Sequence, residues 1–273
     1  MRSIRPATSG RTVLIAILAI AILLLGPFSG VASAKTSTTN VRLYFLIDGK
    51  IAATTRTIPS TSAIGSAALD ALFVGPVVNE LAIGQRTALP VELASAAPLT
   101  IDQKTKTATV SLPSIFTSDD ATLEAQRAAQ IVDTLTQFPT VTSVSFVIDG
   151  KPYKPFNGEG KRVSGPVGRT DYEALTPAIL IESVSSGNPL HVAGTANTFE
   201  ATFQIELFDS GNAKLFSDYV TATSGTGSRG TFEKDVPYKV KASQTGTLLA
   251  YEASAKDGSH INVVAIPVLL SPK

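Results

Sequence analysis

The stretch Asp133-Thr-Leu-Thr-Gln-Phe-Pro-Thr-Val-Thr-Ser-Val-Ser-Phe-Val-Ile-Asp-Gly-Lys151 decides the fold. It reads as the end of a helix, a proline stop, a half-buried strand and an Asp-Gly hairpin turn. Its last residues, Phe146-Val-Ile-Asp-Gly-Lys151, nearly repeat Phe45-Leu-Ile-Asp-Gly-Lys50 far upstream. In both copies Phe and Ile stand two apart, so they share one face of a strand before Asp-Gly turns the chain. One packing unit therefore opens and closes with the same device.

Working outward, Ser118-Asp119-Asp120 predicts a helix cap, with its acids at the favourable end of the dipole. Leu123, Ala128, Ile131, Leu135 and Phe138 then recur at helical spacing up to Pro139. Further upstream, Val41, Leu43, Phe45 and Ile47 alternate as a strand, and Ile51 to Ile58 returns as its hairpin partner. A first helix is expected after Pro59, with Ile64, Ala68, Ala71 and Leu72 on one face and Gly75-Pro76 as its stop. Residues 76–98 lack a clear period. Leu99–Ile101 and Ala108–Leu112 flank a second hairpin. The expected result, over residues 41–154, is an α+β domain with two helices packed on a mixed sheet.

Beyond it the composition changes. Prolines 152, 155, 166 and 177 and glycines 158, 160, 165 and 168 break every period, so residues 155–177 read as a linker. Residues 178–273 then offer short candidate strands at Ala178–Val184, Leu190–Ala196, Ala201–Asp209, Leu215–Thr223, Thr231–Tyr238, Thr247–Ala255 and Ile261–Val268. That series, separated by glycine and Asp-Gly turns, predicts an all-β immunoglobulin-like sandwich. Phe203, Ile205 and Leu207 should line one inner face.

The whole chain is 44% hydrophobic and 16% charged, enough apolar content for a buried core. Its formal net charge is +1 and it has no run of five or six like charges, which argues against a nucleic-acid partner. Arg2, Arg5 and Arg11 precede an apolar run from Val13 to Leu25, and Ala32-Ser33-Ala34 supplies small residues for a peptidase. Residues 1–34 are read as a signal peptide, cleaved between Ala34 and Lys35, followed by a polar leader over 35–40. Retained, the same segment would be a membrane anchor. The expected location is extracytoplasmic, secreted or held at the cell envelope. With no cysteine, packing alone must stabilise the exported chain.

Motifs that suggest chemistry have simpler explanations. Gly225-Thr-Gly-Ser-Arg-Gly230 matches a dinucleotide fingerprint, but strand-like residues follow where a helix is required. Gly158-Glu-Gly-Lys161 lacks the first glycine of a phosphate loop, and Arg162 replaces the hydroxyl residue. His191 and His260 have no metal-site companions nearby in sequence. Asp119-Asp120 and Glu200/Glu206 read as a helix cap and solvent-facing strand positions, and Asp48-Gly49 and Asp149-Gly150 as turns without calcium-loop spacing. No catalytic residue, cofactor or metal ligand is assigned. The distinctive polar and aromatic residues are Asn197, Phe199 and Glu200 in the sandwich and Arg169, Asp171 and Tyr172 in the linker, taken as candidate interaction residues.

The first unit resembles the GerMN domain of sporulation and spore-germination proteins. The resemblance rests on Ala71-Leu-Phe-Val-Gly-Pro76, Thr87-Ala-Leu-Pro90 and Gln130-Ile-Val-Asp-Thr-Leu-Thr-Gln-Phe-Pro139, together with Phe146–Lys151. The tail resembles the immunoglobulin-like domain that accompanies it in germination-associated proteins. There the matching runs are Gly194-Thr-Ala-Asn-Thr-Phe-Glu-Ala-Thr-Phe203, Ser228-Arg-Gly-Thr-Phe232, Tyr251–Ser259 and Ile261–Pro267. The resemblance implies a bacterial, extracytoplasmic protein that is not an enzyme. It also implies α+β units similar to the ring-building modules of secretion and sporulation complexes, which associate through faces and edges. Two functions are therefore expected in order. The first is a scaffold or protein–protein interaction module whose partners are envelope proteins or further copies of itself. The alternative is a cell-wall glycan (peptidoglycan) binding module using Tyr153, Tyr172 and Tyr219.

Overall fold

A computed structural model describes residues 37–93 and 98–273. The expected signal peptide and the Ala34–Lys35 cleavage point lie outside the described residues.

Strands β1 (Thr38–Ile47) and β2 (Lys50–Pro59) pair antiparallel from Thr38↔Pro59 to Ile47↔Lys50. The strand thus begins inside the segment read as a polar leader, because Thr38, Thr39 and Asn40 all find partners on β2. The turn has positive φ at both central residues, Asp48 (49°) and Gly49 (76°). Asp149 (47°) and Gly150 (79°) repeat it between β5 (Ser143–Ile148) and β6 (Lys151–Tyr153). Both are mirror-image turns whose twist matches the flanking strands, which explains the repeated Asp-Gly.

The α+β domain contains α1 (Ile64–Phe73), a short α2 (Val78–Ala82) in the stretch without sequence period, and α3 (Ala121–Leu135). Its strands do not form one sheet. The β1–β2 hairpin stands apart from a mixed sheet in the order β3 (Leu99–Asp102), β4 (Thr107–Leu112), β5, β6, in which β4 and β5 are parallel. A parallel neighbour requires a crossover, and α3 is that crossover. Its N-terminus is closed by Asp120, whose carboxylate accepts from Thr122 N (2.9 Å) and Leu123 N (3.1 Å).

Helix α3 is buried around most of its circumference, including Glu124, Gln130, Asp133 and Thr134. Two of its polar side chains, with Gln137 just beyond its end, stand in for a missing strand beside β1. Gln137 accepts from Arg42 N (2.8 Å) and donates to Arg42 O (2.6 Å). Thr134 accepts from Tyr44 N (3.3 Å), and Gln130 donates to Tyr44 O (3.1 Å). One rung further, Leu46 exchanges both backbone bonds with Arg86 at 2.8 Å. The free edge of β1 is thereby satisfied residue by residue, as a buried edge must be.

The C-terminal strands are β7 (Ile179–Val184), β8 (Leu190–Ala196), β9 (Thr202–Phe208), β10 (Lys214–Thr221), β11 (Gly230–Val236), β12 (Gln244–Ala253) and β13 (His260–Leu270). They form a three-stranded sheet in the order β11-β8-β7 and a four-stranded sheet in the order β10-β9-β12-β13. Phe203, Ile205 and Leu207 are buried between the sheets, each contributing about 1.5–3 kcal/mol by removal from water. Phe203 meets Phe232 edge-on, with ring centroids 4.9 Å apart. No helix follows Gly230; the chain enters β11 directly. Glu206 departs from its expected solvent-facing role. It is buried, and bonds from Lys214 (2.7 Å), Ser217 (3.2 Å) and Tyr251 (3.3 Å) satisfy it.

The segment 155–177, expected as a linker, is packed. Val167 exchanges backbone bonds with Val144 at 2.8 and 2.9 Å, adding a rung beside β5. Val167, Tyr172 and Leu175 are buried in the core of the first domain, a core that reaches Leu180 of β7. The strap holds no α-helix or long strand, as its proline and glycine content implies, but Arg169–Leu175 forms a 3-10 turn. That content carried no information about the single apolar side chains that anchor the strap. Among the described residues there are two hydrophobic clusters, one per domain, within one compact unit.

Candidate functional site

The strap brings a dense polar cluster to the joint between the domains. Arg169, in the 3-10 turn Arg169–Leu175, points its guanidinium at residues from three other elements. Its Nε donates to Thr136 Oγ1 (2.8 Å) and lies 3.2 Å from Asp133 Oδ1, both on or just beyond α3. Its Nη2 donates to Tyr44 OH (2.8 Å) on β1 and to Asp133 O (3.0 Å), and its Nη1 donates to Glu182 Oε1 on β7. Tyr44 OH also donates to Glu182 Oε1 (2.7 Å), and the guanidinium lies 4.9 Å from the Tyr44 ring centre. Glu182 reaches this far because a bulge between Ile181 and Ser183 turns it out of the β7–β8 ladder.

The electrostatics of the cluster are uneven. Burial pushes the Tyr44 hydroxyl well above the usual tyrosine range. Burial would raise the Glu182 carboxyl too, but the charge of Arg169 and the bonds from Tyr44 and Arg169 outweigh it and hold it low. Asp133 goes the other way. Its burial dominates the attraction of Arg169 and pushes it up to about 7, and its Oδ2 has no hydrogen-bond partner.

A second clamp lies further along the strap. Arg229, in the loop before β11, grips Glu173 through Nε (3.0 and 3.1 Å) and Nη2 (2.9 Å), and also donates to Pro177 O (2.8 Å). Asn197 donates to Glu173 Oε1 (3.1 Å) and accepts from Gly227 N (2.9 Å). Burial of Glu173 is outweighed by these bonds, which hold its carboxyl below the ordinary range. The Gly-rich run is part of this scaffold. A Cβ on Gly225 would sit 2.4 Å from Ala201 N, so the close crossing of the two loops requires glycine there.

The candidate residues from the sequence therefore separate. Arg169 and Asn197 belong to the joint, and Asp171 accepts from Gly168 N (2.8 Å) as a local cap. Tyr172 is fully buried, which corrects its reading as an interaction residue and as a glycan-contacting ring. Tyr153 is engaged by Arg162 and Glu124. Phe199 and Glu200 stay on the outside, on a loop where Glu200 and Ala201 both have positive φ, and Tyr219 is exposed on β10. Phe199 is 67% exposed. His191 pairs with Asp235 at the surface (2.9 Å), and His260 stacks on Tyr251. Among the described residues no group of His, Cys, Asp and Glu could hold a metal ion.

The surface holds a feature the sequence reading passed over. Val74, Val77, Val78, Leu81 and Ile83 are all exposed, Val78 to 79%. They ride on a braced corner. Arg56 of β2 donates to Ala71 O (2.9 Å) and Gly75 O (2.6 Å) and pairs with Glu80, which itself accepts from Val77 N (2.7 Å). Ile83 then borders a cleft of about 310 Å³ between the domains, whose walls include Ala53, Ile181, Val263 and Ile266. The signal was present in sequence as Val77-Val78 and Leu81 with Ile83, but without a period to assign them to an outward face.

Comparison with known families matches residues 42–154 to the domain described as "Sporulation and spore germination". Residues 181–259 match the "Immunoglobulin-like domain of bacterial spore germination". The chain is a GerMN domain followed by a germination-associated immunoglobulin-like domain. Among solved structures, the first GerMN domain of the sporulation protein GerM from Bacillus subtilis is 25% identical. That match covers 48% of this chain and 98% of that one, with a TM-score of 0.40. The tandem GerMN domains of the same protein are 18% identical over 74% of this chain and 62% of that chain, with a TM-score of 0.40. A putative lipoprotein from Clostridium perfringens is 22% identical over 51% of this chain and 93% of that one, with a TM-score of 0.33. Comparison with curated proteins returns no match. In the GerMN domain, the Gln130–Pro139 motif proves to be the set of side chains that seals β1. In the immunoglobulin-like domain, Asn197 and Arg229 hold the strap.

Proposed function

We propose that this protein is a non-catalytic scaffold of the bacterial cell envelope, exported by its N-terminal segment, whose GerMN domain docks a protein partner. The observation that carries the reading is the exposed strip Val74–Ile83. Five aliphatic side chains face water on a corner fixed from beneath by Arg56 and Glu80. A contiguous apolar patch held rigid is the usual mark of an association surface. The membership of both domains in germination-associated families agrees with an assembly role and names no reaction.

A photo-reactive residue at position 78, compared with one at the exposed Glu233, tests this in the native host. Protein adducts at position 78 and few at 233 are expected. Equal labelling at both positions, or none at 78, would overturn it. The glycan-binding alternative retains one exposed ring, Tyr219 on β10. Salt-resistant co-sedimentation with purified peptidoglycan, lost in Tyr219→Ala, would favour it over the scaffold.

A further inference from the structure

We propose that the joint between the two domains is proton-linked: Asp133 holds a proton when the joint is tight and gives it up as the joint loosens. The geometry sets one guanidinium between two carboxylates that come from opposite sides. Asp133 belongs to α3 of the GerMN domain, Glu182 to β7 of the immunoglobulin-like domain, and Arg169 to the strap between them. Glu182 has the better share, because Tyr44 OH adds a second bond to the oxygen that Arg169 holds. The Asp133 carboxylate has one contact to the cation, at 3.2 Å, and leaves Oδ2 buried with no donor. A buried carboxylate oxygen without a donor is costly as an anion and tolerable as an acid.

Among the described residues the surroundings place no second cation in contact with Asp133. Facing this cluster are Arg42 and Tyr44 from β1, and Arg169, Asp171, Tyr172 and Glu173 from the strap. Glu182 comes from β7, Arg229 from the loop before β11, and Glu124 from α3 itself. Arg229 is committed to Glu173. Arg56 of β2 is committed to Glu80, and β5 carries no titratable side chain. Arg169 is therefore the one cation in contact with Asp133 among the described residues. Ionised Asp133 competes with Glu182 for it and repels Glu182 across the joint.

The sign follows from burial. The folded Asp133 is raised to about 7, against an ordinary value of 3.8. Its contribution to stability is complete below the ordinary value and is lost as pH rises through about 7. Over the range between the two values one proton is released on opening, so the closing constant falls close to tenfold per pH unit.

Hydrogen exchange of the β7 amides in the purified protein, corrected for intrinsic exchange, reads the joint between pH 5 and pH 9. Protection of β7 is expected to fall by roughly tenfold per unit up to about pH 7 and then level. Asp133→Asn should make the profile flat. Glu182→Gln, which keeps Asp133 and removes its repulsive neighbour, should move the levelling point to lower pH. A wild-type profile that persists in both variants would overturn the proposal. If Asp133→Asn does not fold, the Glu182→Gln profile decides alone. Neither outcome depends on the docking surface at Val74–Ile83.

Discussion

The joint and the α2 corner invert the ordinary distribution of residues in opposite senses. At the joint, Asp133, Glu182, Arg169 and Tyr44 are drawn into the interior and bonded to one another. At the corner, Val74, Val77, Val78 and Leu81 are pushed out to water on a rigid support. Polar groups inside cost desolvation, and they repay it by geometric specificity between elements. Apolar groups outside bring no stability to the isolated chain. The first region fixes how the two domains sit; the second is free to act on something else. Substitutions should accordingly damage folding at the joint and association at the corner.

The largest effect should come from Arg169→Met. Removing the cation leaves the Glu182 carboxylate, the Asp133 side chain and the Tyr44 hydroxyl without their shared donor, at a cost of about 3–5 kcal/mol. Chemical denaturation would show it, and a loss under 1 kcal/mol would break the contrast from the joint side. Gln130→Leu tests the sealed edge of β1. It orphans Tyr44 O and Ala88 N, with an expected loss of about 2 kcal/mol in the same measurement. Asp120→Ala removes the α3 cap for about 1 kcal/mol, a local effect that calibrates the other two. The smallest change in stability should be Val78→Asp, within about 0.5 kcal/mol. A large destabilisation there would mean that the corner is core and not surface.

These regions differed in legibility for physical reasons. Asp48-Gly49 and Asp149-Gly150 announced their turns because few residues tolerate positive φ at two successive positions. The seven strands of the sandwich followed from alternation and from the turns between them. The separation of β1–β2 from the β3–β6 sheet was not legible, because it depends on Gln130, Thr134 and Gln137 replacing a strand with side chains. Nothing in their spacing distinguishes that role from an ordinary polar helix face. The strap was misread for a similar reason. Val167, Tyr172 and Leu175 are isolated apolar residues in a proline-rich run, and only their tertiary partners reveal them as anchors. Asn197 and Arg229 stood out as motif residues, but their common target, Glu173, lies in a segment with no motif of its own.

If the Arg169 cluster fuses the two differently built domains, they unfold as one cooperative body. Hydrogen-exchange mass spectrometry across a urea series tests it most directly, by following α3 and β9 separately in the wild-type protein. Coincident transitions for the two elements, splitting apart in Arg169→Met, are the predicted result. Two well-separated transitions already present in the wild type would mean that the domains unfold independently of the cluster.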